Sequence, residues 1–385
     1  MPSWFSRLAG RASVPAEAKS GGPQTLMTLT SLGEPSWSRR GFVSLANAGY
    51  ARNPVAYRCI RMIAEAATRV PLLASDGGKV LAAHPVLELL RRPNARQSGG
   101  ELLEAVHAYL QTAGNAYLTA SVVASEVREL HVLRPDRVKV VAGGGGYPRA
   151  YAYTAGGRTT TLPLDTQPVA SVLHLALFHP LDDHYGMAPL EAAAQSLDIH
   201  NAAADWNKAL LDNAARPSGA LVHGASHGGL TATQFERLKT ELAAQFQGPA
   251  NAGRPMVLEG GLDWKPMALS PQEMDFIELK HAAAREIALA FGVPPMLLGI
   301  PGDNTYANYA EANRAIWSQT VVPLVRRVAD DLSFWLAPGF GGVTLLPDLD
   351  NVEALAEDRA ALWARVGAAE FLTDAEKREM VGVGV

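Results

Sequence analysis

EIALAFGVPPMLLGIPGDNTYANY, residues 286–309, runs from a helical pattern straight into a loop rich in proline and glycine. The helical pattern ends at Phe291, and Gly292 is placed to cap the helix. Val293 precedes Pro294, and a residue before proline is disfavoured in a helical conformation. The sequence therefore predicts a sharp end to the helix, from which the chain leaves at a fixed angle.

The loop after this helix divides into an apolar base and a polar tip. Apolar side chains should anchor the base, whereas the tip has no reason to be buried. The predicted base residues are Met296, Leu297, Leu298 and Ile300, and the polar tip residues are Asp303, Asn304, Thr305, Tyr306 and Asn308. The stretch thus predicts a rigid helix end that presents a polar loop for contact with another molecule.

Composition limits the class of protein. The 385 residues predict two to three domain-sized units, and a hydrophobic content of 48% is enough for real cores. The chain has 34 Lys and Arg and 38 Asp and Glu, so its net charge is −4. This charge argues against a protein that binds nucleic acid tightly through its phosphates. The single cysteine, Cys59, excludes an internal disulfide and a cysteine-rich zinc site, and we expect it in a core.

The N-terminus shows no secretion signal, and no stretch predicts a membrane span. The longest uncharged stretch, 287–302, is short and broken by prolines. We expect a soluble protein of a reducing, cytosolic compartment. Residues 1 to about 45 are rich in Gly, Ser, Pro and Thr, which predicts a flexible arm that orders only against a partner.

Three helices are predicted before residue 115. Asn53 caps a helix that has Pro54 at its first position and ends at Pro71. A second helix follows His84-Pro85, and a third begins at Ser98, which forms a capping box with Glu101.

Short β runs then predict an antiparallel sheet with helices on one side. These strands are predicted at 118–123, 129–133, 137–141, 150–154 and 169–178, with Gly143 to Gly146 as a hairpin tip.

Two long helices bracket a small α/β insert. The first is predicted over 187–215, opened by Pro189. The insert has strands at 219–223, 254–259 and 262–269 and a helix capped by Thr231. The second long helix begins at Ser270-Pro271. Its apolar face repeats at Met274, Ile277, His281, Ala284, Ala288 and Phe291.

Two other patterns suggest chemistry. Gly224 to Gly228 matches Gly-x-Ser-x-Gly, but a nucleophile elbow needs its helix to start directly after Ser226, and the helix cap comes only at Thr231. A serine hydrolase using Ser226, His281 and an Asp remains a weak alternative. His174, His179 and His184 alternate faces and predict no shared metal site. We expect no cofactor, no metal and no catalysis, and we expect Trp317, Phe334 and Trp335 to pack between helices.

The chain resembles the HK97-like portal proteins of tailed phages and gene transfer agents over most of its length. The individual matches are weak, but their order and spacing are specific. They are Asn53-Pro54 with Cys59-Ile60 and Ile63-Ala64, His84-Pro85 with Leu89-Leu90 and Pro93-Asn94, Gly114 to Tyr117, Leu133 to Pro135 with Val138, His174 with Gly186 to Leu190, Gly248 to Arg254, Leu258 to Leu262, and Glu286 to Gly299.

The resemblance implies an α+β portal fold and a twelve-subunit ring at one capsid vertex, assembled in the bacterial host cytoplasm and kept in the virion. Double-stranded DNA would pass through the ring without sequence specificity. The implied partners are further copies of the chain, the terminase large subunit, the major capsid protein and a head-tail adaptor, with no membrane. The sequence does not separate an active phage, a prophage remnant and a gene transfer agent.

The resemblance also implies a division of the chain and a set of contact residues. The parts would be an N-terminal arm (1–45), a wing (46–186), a stem (helices 187–216 and 269–292), a clip (217–268), a tunnel loop (293–308), a wing or channel helix (309–346) and a crown (347–385). The tunnel-loop candidates are Ile300 and the five tip residues. Candidates lining the stem are Asp275, Glu278, Lys280 and Arg285, and candidates for terminase or adaptor contact in the clip are Gln234, Arg237, Glu241 and Arg254.

Charge sets an expectation for the channel. Every Lys or Arg that binds a phosphate releases a counterion, and a ring multiplies that effect, so a basic channel would hold DNA instead of passing it. We therefore expect a weak, polar contact from Asp303, Asn304, Thr305 and Asn308. The alternative is a loop that only packs on the adjacent subunit.

Overall fold

The computed structural model describes residues 41–212, 219–223, 231, 233, 236–237, 240, 262–266, 276–301 and 306–382. These residues form helices and small antiparallel sheets, as the α+β prediction requires. The α-helices within the described ranges are Phe42–Leu45 (α1), Pro54–Thr68 (α2), Pro85–Arg91 (α3), Gly99–Ala113 (α4), Pro189–Ala192 (α5), Ala194–Asp212 (α6), Phe276–Ala290 (α7), Tyr306–Ile316 (α8), Val322–Leu336 (α9), Ala356–Gly367 (α10) and Asp374–Met380 (α11).

The strands form small antiparallel sheets. They are Leu72–Asp76 (β1), Lys79–Leu81 (β2), Asn115–Val123 (β3), Glu126–Leu133 (β4), Val138–Ala142 (β5), Pro148–Ala155 (β6), Arg158–Pro163 (β7), Val172–Ala176 (β8), Gly219–His223 (β9), Leu262–Pro266 (β10) and Thr344–Pro347 (β11). Their orders are β11-β1-β2, β4-β3-β8, β5-β6-β7 and β10-β9. The five strands predicted between residues 118 and 178 are confirmed with shifted ends, and the four-glycine run joins β5 to β6 as predicted.

Local capping signals place the first helices. The Asn53 side chain accepts hydrogen bonds from the amides of Val55 and Ala56 at 3.0 and 3.1 Å. At α4, the Glu101 carboxylate accepts from the Ser98 amide at 2.7 Å, and the Ser98 hydroxyl accepts from the Glu101 amide at 3.3 Å. Both predicted caps are confirmed, because each satisfies amides that would otherwise lack a partner at a helix start.

The predicted arm is too long at its C-terminal end. Helix α1 and a π-helical turn, Ala46–Ala51, already belong to the body, and Leu45 is only 2% exposed. The Phe42 ring meets Tyr109 edge-on at 6.5 Å, which ties α1 to α4. The residues before Phe42 are polar in composition, so this short apolar segment was not predicted.

The core lies between α2, α4, the β3 sheet and α9. Its fully buried members come from widely separated parts of the chain, and they include Ile60, Leu102, Leu118, Leu190, Ile287 and Leu332. Strand β11 pairs with β1 in the register Leu72↔Pro347, so residues 344–347 complete a sheet that starts near the N-terminus. Cys59 is fully buried as predicted, and burial raises the pKa of its thiol to about 12.

Two helix predictions need correction. The long helix predicted over 187–215 is interrupted at Ala193, which separates α5 from α6, although Pro189 does open α5. Phe334 is 86% exposed and does not pack, whereas Trp335 is buried and donates from Nε1 to the Ala170 carbonyl at 2.7 Å. In the insert, β9 and β10 pair as antiparallel strands, and the predicted strand at 254–259 lies outside the described residues.

Candidate functional site

The end of α7 is fixed by a hydrogen-bonded cap. Gly292 has a φ of +64°. Its amide donates to the Leu289 carbonyl at 3.0 Å, and the Val293 amide donates to the Ala288 carbonyl at 2.9 Å. This pair of bonds is a Schellman motif, which glycine favours because the left-handed backbone costs it little. The predicted sharp stop after Phe291 is confirmed.

The base of the loop is also built as predicted. Pro295–Leu298 forms a 3₁₀ turn that ends at Gly299, and the Ile300 amide donates back to the Pro295 carbonyl at 3.3 Å. Ile300 is only 8% exposed, while Met296, Leu297 and Leu298 are half-buried. The loop therefore rises from a closed, apolar base.

The tip is described only in part. Asp303, Asn304 and Thr305 lie outside the described residues, and Tyr306 begins α8. Asn308 is exposed on the first turns of that helix. The two ends of the tip are thus Pro301, at the top of the base, and the start of α8.

Three polar contacts brace this segment against its neighbours. The Arg285 guanidinium on α7 donates to the Pro301 carbonyl. The Thr320 hydroxyl donates to the Gly292 carbonyl at 2.8 Å, and the Ser196 hydroxyl on α6 donates to the Glu286 carboxylate at 2.6 Å. Sequence patterns did not identify these braces, because each partner is distant in the chain.

The stem candidates do not form one surface. Glu278 and Arg285 are two turns apart on the exposed side of α7. Lys280 is half-buried. Burial lowers the pKa of His200 on α6, and the positive charge of Lys280 lowers it further. Lys280 therefore faces α6, away from Glu278 and Arg285, and Asp275 lies outside the described residues.

Large apolar side chains of α7 are exposed on this single subunit. Ile277 is 70% exposed and Leu289 is 78% exposed. The predicted apolar face is confirmed at Ala284, Ala288 and Phe291, which are buried, and is wrong at Ile277.

The clip candidates are almost entirely undescribed. Arg237 is exposed at a helical position, whereas Gln234, Glu241 and Arg254 lie outside the described residues. Ser226 of the hydrolase alternative also lies outside them.

His174 and His179, two of the three spaced histidines, have different hydrogen-bond partners. His174 Nε2 lies 2.8 Å from Asn115 Oδ1. This oxygen also accepts a hydrogen bond from the Gly186 amide, and because a carbonyl oxygen can only accept, His174 Nε2 carries the proton. His174 Nδ1 then accepts from the Tyr151 hydroxyl at 3.1 Å. His179 Nδ1 instead accepts from the Leu181 amide at 3.0 Å. Among the residues that the structure describes, no group of His, Cys, Asp or Glu is arranged to hold a metal ion.

Two buried histidines predict a pH-dependent stability. Burial lowers the pKa of His107 to about 4, and burial with the nearby His184 charge does the same for His174. The unfolded chain binds these protons near pH 6.5, so stability is full above that pH and falls as the pH drops toward 4. We expect the free energy of unfolding to fall by up to about 1.4 kcal/mol per pH unit for each histidine.

Urea unfolding between pH 7 and pH 5, followed by tryptophan fluorescence, measures this slope. His107→Phe removes one of the two titrating groups and should roughly halve the histidine share of the slope. Glu370→Gln changes an exposed group and serves as a control. An unchanged slope in His107→Phe would show that His107 is not neutral in the fold.

In the part of the chain that the structure describes, no helix has the length and apolar character needed to cross a bilayer.

Comparison with known proteins adds independent evidence. A family model for "Phage portal protein" matches residues 54–382. A chain in the solved neck of an empty gene transfer agent (GTA) particle, computed with C6 symmetry, is 55% identical. It aligns over 91% of this chain and 96% of that chain with a TM-score of 0.71.

Two further relatives agree. A chain in the neck of a native GTA particle, computed with C12 symmetry, is 54% identical over 91% of this chain and 96% of that chain, with a TM-score of 0.69. The portal protein of Enterobacteria phage HK97 is 24% identical over 98% of this chain and 87% of that protein. The family model covers most of the chain, including the helix-to-loop segment 286–309. This chain therefore belongs to the phage portal protein family.

Proposed function

We propose that twelve copies of this portal protein form a ring in the neck of a phage-like particle, through which DNA is packaged and ejected. The observation that carries the proposal is 54% identity, over 91% of this chain, to a chain in a native GTA neck computed with C12 symmetry. Portal proteins are structural and not enzymes, so the serine hydrolase alternative is set aside.

Exposed apolar side chains support lateral contacts between subunits. Ile277 and Leu289 on α7, Phe334 on α9 and Phe371 after α10 are each 70–87% exposed in the single subunit. Burial of such side chains is favourable by roughly 1.5–3 kcal/mol each. A ring repeats that gain at every interface.

The parts of the subunit are proposed to meet different partners. The stem surrounds the channel, and the clip binds the terminase large subunit during packaging and the head-tail adaptor afterwards. The wing meets the major capsid protein. In this proposal the N-terminal arm comprises only the residues before Phe42. The tunnel loop follows the apolar base that ends at Ile300.

The tunnel loop is proposed to touch DNA without gripping it. On the exposed face of α7, the charges of Glu278 and Arg285 offset each other, and Arg285 is already engaged by the Pro301 carbonyl. No strong basic column therefore arises from these side chains. A weak contact lets a polyanion slide, because each cation that binds a phosphate adds a salt-dependent attraction.

Replacing Asp303 and Asn304 together by alanine should lower the yield of DNA-filled particles several-fold, because the tip would lose its polar contact surface. The braces at Gly292 and Pro301 do not involve these side chains, so ring assembly should persist. Nuclease-protected DNA per particle is the measurement. Asp183→Ala, an exposed carboxylate outside the tunnel loop, is the control.

The proposed function is tested by removing the chain from a strain that makes particles. Particles formed without the chain should contain no nuclease-protected DNA, and the wild-type gene should restore it. Normal filling without the chain would contradict the conduit function. Normal filling by the Asp303→Ala, Asn304→Ala variant would instead favour a loop that only packs on its neighbour.

A further inference from the structure

A basic hollow lies where α3 ends and α4 begins. Residues 91–98 have the sequence RRPNARQS, and all of them except Pro93 line a cavity of about 480 Å³. Its three arginines, Arg91, Arg92 and Arg96, are all exposed. Three guanidinium groups therefore surround one concave surface on a chain whose net charge is −4.

The loop that carries these arginines is held in place by a buried asparagine. Asn94 is 6% exposed, and its amide nitrogen donates to the Leu130 carbonyl at 2.9 Å. Its side-chain oxygen accepts from the amides of Arg96 and Gln97, both at 2.9 Å. The Leu130 amide also donates to the Pro93 carbonyl at 2.7 Å. Because strand β4 fixes the loop in advance, a ligand has little backbone to order.

Two of the guanidinium groups are available to a ligand. Arg91 is paired with Glu88. The nearby Glu101 carboxylate is occupied by the amide and hydroxyl of Ser98, at 2.7 and 3.1 Å. Within the described ranges, neither Arg92 nor Arg96 forms an ion pair or a side-chain hydrogen bond. The hollow thus keeps an uncompensated positive charge.

We propose that this hollow binds backbone phosphates of double-stranded DNA. A guanidinium group matches a phosphate by paired, charge-assisted hydrogen bonds. The inference rests on the proposed function in one respect, since DNA is the phosphate polymer that a portal ring would meet. The hollow belongs to the segment proposed as the wing, whereas the channel is proposed to be lined by the stem and the tunnel loop, so a phosphate site there is compatible with a weak contact in the channel. Either contact can fail while the other stands.

Binding of a short fluorescent duplex to the assembled ring, measured by anisotropy over a series of salt concentrations, tests the proposal. The Arg92→Ala, Arg96→Ala variant should bind about tenfold more weakly or worse, since charged hydrogen bonds are lost. The slope of log K against log salt should fall by about 0.9 for each phosphate contact removed. Unchanged affinity and slope would overturn the proposal.

Two matched variants separate the site from general charge. Arg149→Ala with Arg158→Ala removes equal charge from exposed positions on β6 and β7, and should stay within about twofold of the parent because distant charges are screened. Arg92→Lys with Arg96→Lys keeps the charge and should keep most of the salt slope. Equal losses in both alanine pairs would overturn a specific site.

Two further outcomes would also overturn the proposal. If inorganic phosphate binds in an Arg92- and Arg96-dependent way while the duplex does not, the hollow is a site for free phosphate. If the Arg92→Ala, Arg96→Ala variant fails to form a ring by mass photometry, the arginines contact a neighbouring subunit instead. A ring of normal mass with weaker duplex binding supports the DNA site.

Discussion

Replacing Ile277 and Leu289 together by aspartate should give a folded subunit that no longer assembles into a ring. Both side chains are largely exposed in the single subunit, at 70% and 78%, so the two substitutions together should change the free energy of unfolding by no more than about 1 kcal/mol. In a ring, each carboxylate would be buried without a partner, which costs several kcal/mol. Mass photometry should show single subunits in place of rings.

Val123→Asp is the matched control for this variant. Val123 is 61% exposed at the end of β3, beside the turn residues Ala124 and Ser125, and it lies outside the proposed stem. This control should assemble normally. Rings of normal mass from the Ile277→Asp, Leu289→Asp variant would show that α7 does not form the lateral contact.

Gly114→Ala should destabilise the fold by about 2–5 kcal/mol. Gly114 caps α4 with a φ of +67°, and a Cβ there would lie 2.4 Å from the Gly186 carbonyl oxygen. The left-handed backbone costs a side chain about 1–2 kcal/mol. Forcing two backbones apart adds about 1–3 kcal/mol. Together these terms remove much of the stability of a typical domain, and soluble yield with denaturant unfolding measures the loss.

Gly156→Ala separates the two costs. Gly156 has a φ of +56°, but nothing lies within 4 Å of the position that its Cβ would take. This substitution should cost only about 1–2 kcal/mol and give soluble protein. Equal losses in the two variants would show that the close approach of Gly114 and Gly186 is unimportant.

The sequence predicts best those features whose cause is local. The Asn53 cap, the Ser98 capping box and the Gly292 stop each depend on side chains or backbone within a few residues. Hydrogen bonds of this range leave a recognisable residue pattern, and all three are confirmed. The apolar base of the proposed tunnel loop is predictable for the same reason.

Features made by distant pairing were missed. Strand β1 pairs with β11 across most of the chain, and both are short runs without a strong alternating pattern. The braces at Arg285, Thr320 and Ser196 join elements that only the tertiary fold brings together. The break at Ala193 lies in an alanine-rich run that gives no local sign of an interruption.

The error at Ile277 has a different cause. A repeating apolar pattern shows that a helix face avoids water, but it does not say whether that face packs inside one subunit or between two. Ala284 and Ala288 pack within the subunit, whereas Ile277 is exposed on it. The periodicity was therefore informative about a contact, and we expect that contact to be in the ring.

Counting the subunits of the assembled ring tests the central claim most directly. Native mass spectrometry or electron microscopy of the purified protein should give twelve copies, a mass of about 490 kDa for twelve times the 40.9 kDa chain. A closed ring of that size would agree with a channel at the neck of a particle. A stable single subunit of 40.9 kDa under all assembly conditions would contradict it.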